Sequence, residues 1–259
     1  MAMIDINNAK KVFNEYVKNY DLNDGKIALK VGHILRVAAL SKKIATSLNL
    51  SEKDVELAEL IGLLHDIGRF EQVKRFHTFV DKDSINHGEY GAKILFEDGL
   101  IEKFNIDKKY YKTIKLAILN HNRNKIEDGL TENENLHCKI IRDNDKLDIF
   151  HVLLTDETIN TYNCEHMENE TFTDEIVREF KEEHCINYKN RKTSGDMWIS
   201  HMAYVFDFNF KSSYAVMRDN DYINKLLLLM NFKKEKTLKE ANEIASIANS
   251  YIDEQTKFI

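Results

Sequence analysis

Apolar residues recur along this chain mostly at three- and four-residue steps, the period of a helix surface. In "KIALKVGHILRVAALSKKIATSL", residues 26–48, Ile27, Val31, Ile34, Ala38, Ala45 and Leu48 form such a stripe, and His33 lies off it beside Arg36 and Val37. "SEKD" at 51–54 reads as a helix start, with Ser51 as the N-cap and Asp54 at the third helical position. The helix it opens runs through Val55, Ala58, Ile61 and Leu64 to His65. A loop of charges and aromatics is expected over 69–83, then a helix over 84–99 stopped by Gly99. Asp107 is a candidate cap for "KKYYKTIKLAILNHN". The polar stretch 122–134 reads as a loop leading into "NLHCKIIRDNDKLDIFHVLL". Residues 156–172 are polar and poorly periodic and read as a loop or insertion. Helix-like patterns resume over 173–188, 196–207, 214–231 and 236–256.

The 259 residues include no proline and 9 glycines, so few positions break a helix and the expected class is all-α. No internal repeat and no low-complexity linker divides the chain. It is therefore expected to form one helical domain over 1–259, with a core over 26–155 and helices over 160–259 packed on it. A formal net charge of −6 argues against a global nucleic-acid binder, and no basic stripe with interleaved aromatics is present. Three cysteines, Cys138, Cys164 and Cys185, without CxxC spacing argue against a disulfide framework and a cysteine-rich zinc site. The N-terminus lacks a basic-then-apolar pattern, and the longest apolar run, "LLLLM" at 226–230, is too short for a bilayer. These features lead to the expectation of a soluble cytoplasmic protein with no membrane partner.

Five sites, each on or beside a different expected helix, stand out: His33, His65–Asp66, His87, His121 and Asp145. Imidazoles with carboxylates suit borderline divalent metals. His65 and Asp66 are about 100° apart on a helix and cannot share its face. At a helix terminus both can turn toward one ion, and the two oxygens of Asp66 can bridge two.

The order H…HD…D resembles the HD-domain superfamily of metal-dependent phosphohydrolases. The resemblance rests on "HILRV", "LLHDIGR" and "RDNDKLD", and covers residues 26 to about 155. It implies an HD-type helical bundle with additional C-terminal helices. It also implies that His33, His65, Asp66 and Asp145 ligate a first metal. "NHGEYG" and "LNHNR" supply His87 and His121 in the order of two-metal members. His77 is the rival to His87, and the H-x-x-x-G pattern selects His87. In "RDNDKLD" the family pattern selects Asp145; Asp143 and Asp148 are then solvated or bonded to ligand histidines. His137, His151, His166, His184 and His201 read as surface or packing residues.

The implied reaction is attack of metal-activated water on a phosphate ester of a small molecule, a nucleotide above all, with two divalent ions drawn from Fe, Mn, Co, Ni, Zn or Mg. Asp66 and Arg69 are the catalytic candidates. Arg69, Lys74, Arg75, Arg123 and Lys146 are candidates for the substrate phosphate, since guanidinium forks suit phosphate oxygens. Gly68 reads as a bend that aims Arg69 inward, and Phe70, Phe76 and Phe79 as loop anchors or a base-packing surface. The alternatives are a di-iron HD-type oxygenase and a non-catalytic nucleotide-binding HD module. Oligomeric state is not legible in the sequence.

Overall fold

The computed structural model of the chain describes residues 4–162 and 164–257, and these residues are helical with no strand. They divide into two compact units, Met1–Asp145 and Lys146–Ile259. In the first, α1 (Ile6–Val17), α2 (Gly25–Ser47), α3 (Glu52–Leu64), α4 (Gly68–Phe76), α5 (His87–Phe96) and α6 (Tyr111–Asn120) precede α7 (Glu132–Thr155), which carries the boundary between the units. Short polar side chains start most of these helices by accepting an otherwise orphaned N–H. Asp5 caps α1, Asp24 caps α2, Ser51 accepts from Asp54 N on α3, and Asn86 accepts from Glu89 N on α5.

Helices α2 and α3 form the main pair, and the reason for their closeness is local. A Cβ on Gly62 would lie 2.7 Å from Ala38 Cα, so the two backbones touch where larger residues would hold them apart. Around that crossing, Phe13, Ile34, Val37, Leu60, Ile61, Leu64, Ile67, Ile114, Ile118 and Ile141 are buried in one core. Phe70 joins it, with its ring edge-on to Phe13 and Tyr16. Burying one such ring stabilises the fold by roughly 1.5–3 kcal/mol.

The loop expected over 69–83 is an expectation the structure corrects. Residues 68–76 are the helix α4, because Phe70, Gln72 and Val73 face inward while Lys74 and Arg75 face out. The excess of charge hid a narrow apolar face. His77 ends α4 in the left-handed region, φ 55°, as a C-cap.

In the second unit, α8 (Thr158–Tyr162), α9 (Asp174–Lys181), α10 (Ser194–Met202), α11 (Lys211–Asp219), α12 (Tyr222–Met230) and α13 (Glu235–Thr256) surround Trp198, Phe180, Met202, Ile244 and Ala248. Trp198 stacks on Phe172 at 5.7 Å between centroids and meets Phe232 edge-on. Residues 156–172 are not a plain loop, since α8 and a helical turn at Met167–Asn169 lie within them and bury Tyr162 and Met167. The stretch 214–231 splits into two helices, because Asp221 turns into the left-handed region at φ 53°, where Asp is tolerated. Among the described residues, no helix is long and apolar enough to cross a membrane.

Candidate metal centre

The first unit gathers the chemistry-bearing residues from five helices, some at helix ends and some within them. His33 lies within α2, His65 caps the C-terminus of α3 with Asp66 beside it, His87 is the first residue of α5, His121 follows α6, and Asp145 lies in α7. All of the histidines and Asp66 are buried, and the Asp145 side chain is 19% exposed. Two groups of donor atoms lie within 4.8 Å of one another: His33, His65 and Asp66, and Asp66, His87 and His121. Asp66 belongs to both. Its Oδ2 is 3.5 Å from His33 Nε2 and 3.6 Å from His65 Nε2, while its Oδ1 is 3.3 Å from His87 Nε2 and 3.6 Å from His121 Nε2. Asp145 Oδ1 completes the first group at 3.1 Å from His33 Nε2 and 3.6 Å from His65 Nε2.

The outer nitrogens of three rings fix what the inner ones offer. His65 Nδ1 donates to Gly62 O at 2.8 Å and His121 Nδ1 to Ile118 O at 2.6 Å. A carbonyl oxygen only accepts, so the hydrogen is on Nδ1 in both rings. His87 Nδ1 donates to both oxygens of Asp81, at 2.8 and 2.7 Å. In the neutral rings each Nε2 is then a bare lone pair pointing inward. His65 Nε2 has no hydrogen-bond partner, and the Nε2 atoms of His87 and His121 stand 2.9 Å apart. Two lone pairs so close repel unless a cation lies at their focus. This donor set, with its outer N–H groups held by carbonyls and a carboxylate, fits a divalent metal.

Charge distribution agrees. Burial alone would raise the Asp66 carboxyl, but Lys30, His65, His121 and Arg69 outweigh it and hold Asp66 well below the usual carboxylate range. Burial likewise opposes ionisation of Asp145, and bonds with His33 and His65 reverse the effect. Burial, reinforced by Arg69, pushes His87 down to about 3, which keeps its ring neutral.

Arg69 reaches this cluster, but chiefly as an anchor. Its Nη1 donates to Phe79 O at 2.6 Å, Gln72 Oε1 at 2.7 Å and Asp81 Oδ1 at 3.0 Å, and its Nε lies 3.5 Å from Asp66 Oδ1. The other basic candidates pair elsewhere. Lys74 lies 3.8 Å from Glu71 and over the Tyr20 ring, Arg75 bonds Glu71 at 2.9 Å, Arg123 bonds Glu127 at 2.6 Å, and Lys146 pairs with Asp207. His77 is exposed, and Asp143 and Asp148 are buried, which excludes the solvated reading of both acids.

Gly68 does not act as a bend. It has ordinary helical geometry as the first residue of α4, and a Cβ there would stand 2.2 Å from His87 O and 2.7 Å from Gly91 N. The glycine lets α4 press against the start of α5, where His87 sits. Sequence reasoning missed three supporting residues. Lys30, one turn before His33, bonds Asp66 Oδ2 at 2.7 Å. Asp81 orients His87. Gln72 Nε2 holds Asp81 Oδ1, Ser84 Oγ and Ile85 O at 2.9, 2.8 and 3.1 Å. The i−3 spacing of Lys30 from His33 was the one available signal.

Residues 31–150 match the family model of the HD domain. This segment is an HD domain. HD domains belong to a superfamily of metal-dependent phosphohydrolases, and the matched segment holds both donor groups. A search of curated proteins finds no match, and neither does a search of solved structures.

Proposed function

We propose that this HD domain is a divalent-metal-dependent phosphohydrolase that cleaves a phosphate ester of a small molecule, a nucleotide above all, using metal-activated water. The observation that carries the reading is the sharing of Asp66, each of whose oxygens faces its own pair of histidine Nε2 atoms. His33, His65, Asp66 and Asp145 would hold one ion, and Asp66, His87 and His121 a second. The imidazole-rich set favours Mn, Fe, Co, Ni or Zn over Mg. When bound, such ions lower the pKa of water and neutralise charge developing on a phosphoryl group.

The chain's own residues do the rest. Gly62 O, Ile118 O and Asp81 hold the Nδ1–H groups of His65, His121 and His87, so the inner lone pairs stay aimed at the centre. The apolar end of α3 excludes water behind His65, which is fully buried. Arg142 bonds Asn120 O at 3.0 Å and Asn124 O at 3.2 Å, fixing the loop that follows His121. Arg69 and Lys30 put positive charge on the substrate side of Asp66.

The test is His65→Ala and Asp66→Ala, each measured for bound metal and for turnover of a panel of nucleotides and phosphomonoesters. Both variants are expected to lose metal and turnover. Full activity with retained metal in both would overturn the proposal.

A further inference from the structure

Lys30 stands where no candidate ligand and no core side chain was expected. Its ammonium lies 2.7 Å from Asp66 Oδ2, and its side chain is 13% exposed. Asp66 already faces four imidazoles and the Arg69 guanidinium at 3.3–3.6 Å. With a divalent ion held by these residues, it would not need a lysine for electrostatic balance. Lys30 offers three donors, and among the described residues Asp66 is the one hydrogen-bond acceptor they find. One aromatic ring lies beside it. Phe79 lies 5.3 Å from Lys30 Nζ and 5.6 Å from Arg69 Cζ, so two cations flank one ring beside the shared carboxylate.

The two cations differ in freedom. Arg69 is tied by Nη1 to three acceptors. Lys30 is a point charge on a flexible four-carbon stem, rooted one turn from His33. The local charge also points to an anion. Among the carboxylates and cations beside Asp66, Asp66, Asp81 and Asp145 contribute three negative charges against two positive ones from Lys30 and Arg69. One divalent ion makes the site net positive, and a second makes it strongly so.

Resting on the phosphohydrolase reading, we propose that Lys30 is a substrate-binding residue that takes a phosphoryl oxygen, and that the site is built for the dianionic phosphate of a monoester. Phe79 walls the position, Arg69 holds that wall through Phe79 O, and Lys30 leaves Asp66 for the phosphate.

The test uses the full chain loaded with Mn²⁺ and the probes inorganic phosphate and dimethyl phosphate, a monoanion. Metal content is measured by elemental analysis and anion binding by calorimetry. Lys30→Gln keeps a donor near Asp66 but removes the charge. It is expected to hold as much metal as wild type and to bind phosphate about ten- to a hundredfold more weakly, the loss of one charge-assisted bond. Wild type is expected to prefer phosphate to dimethyl phosphate, and the variant to lose that preference. If Lys30→Gln melts below the assay temperature, Lys30→Met, which keeps the packing of the stem, is read the same way. Unchanged phosphate binding overturns the proposal. Metal loss in step with phosphate loss also overturns it, by making Lys30 a positioning residue for Asp66. A wild-type chain that holds Mn²⁺ but binds no phosphate counts against the hydrolase reading itself, before any variant is compared.

Discussion

Replacing Asp81 by alanine removes a carboxylate shared by His87 Nδ1, Arg69 Nη1, Gln72 Nε2 and Asn122 Nδ2. Three of these donors keep other partners: Gln72 retains Ser84 and Ile85, Arg69 retains Phe79 O and Gln72, and Asn122 retains Asn86 Oδ1. The losses that matter are one charge-assisted bond to Arg69, about 1.5–3 kcal/mol, and the N–H of buried His87 left without its acceptor, about 1–3 kcal/mol. Asp81 is 31% exposed, so water refills part of the gap, and about 3 kcal/mol is expected for unfolding at neutral pH. A second route gives the same order. Burial opposes ionisation of Asp81, yet His87 and Arg69 draw its pKa from 3.8 to about 2, which corresponds to about 2 kcal/mol. Because the folded value is depressed, this contribution is complete above pH 3.8 and fades as pH falls through about 2, so an assay at pH 7.5 reads all of it.

The functional effect of the same change is larger in ratio. Without Asp81, His87 loses both its fixed tautomer and its ring orientation, and metal affinity is expected to fall about 10- to 100-fold. Urea unfolding followed by circular dichroism measures the first effect, and chelator competition with Mn²⁺ or Co²⁺ the second. Asp81→Asn, which keeps the shape without the charge, is expected to fall between. Wild-type unfolding free energy together with wild-type metal affinity in Asp81→Ala would refute the claim that Asp81 supports this centre.

Three other outcomes follow from single contacts. Gly68→Ala puts a methyl group against His87 O and Gly91 N; the overpacking costs about 1–3 kcal/mol, read as a lower Tm together with weaker metal binding from the displaced His87. Asp196→Ala removes the acceptor of Thr173 N, Thr173 Oγ1, Lys192 N and Thr193 N and breaks the capping box of α10; the second unit is expected to lose about 3–5 kcal/mol, seen as an early unfolding step in calorimetry. His201 Nδ1 is buried without a partner, and burial, with Arg191, pushes its pKa from 6.5 to about 3. The unfolded chain therefore binds the extra proton first, and stability drops by about 1.4 kcal/mol per pH unit between about 6.5 and 3. His201→Gln is expected to flatten that limb of the urea-midpoint profile, and an unchanged slope would count against the buried neutral ring.

The difference between what was legible in the sequence and what was not follows the kind of constraint on each residue. A candidate ligand must be an imidazole or carboxylate, and such residues at the ends of apolar helices are conspicuous. His65–Asp66 after "LIGLL" and His87 before "GEYG" could be read for that reason, and the helical class could be read from periodicity. Supporting residues carry no such restriction. Asp81 is one of many acids in a charged stretch, and only the fold of α4 back onto α5 brings it under His87. Gly68 has the same history: a sequence supports both a bend and a close approach, and the distance to His87 O decides for the approach. Arg69 shows the limit most clearly. Its place after the HD pair is readable, but its direction is set by Phe79 O, Gln72 and Asp81, residues whose positions depend on a helix that the charge pattern concealed. Lys30, by contrast, sits one helical turn from a candidate ligand, a spacing that puts both side chains on one face. Charged residues at i±3 and i±4 from a candidate ligand are thus the part of the surrounding shell that a sequence can reveal, because only there does local helix geometry, rather than tertiary folding, guarantee proximity.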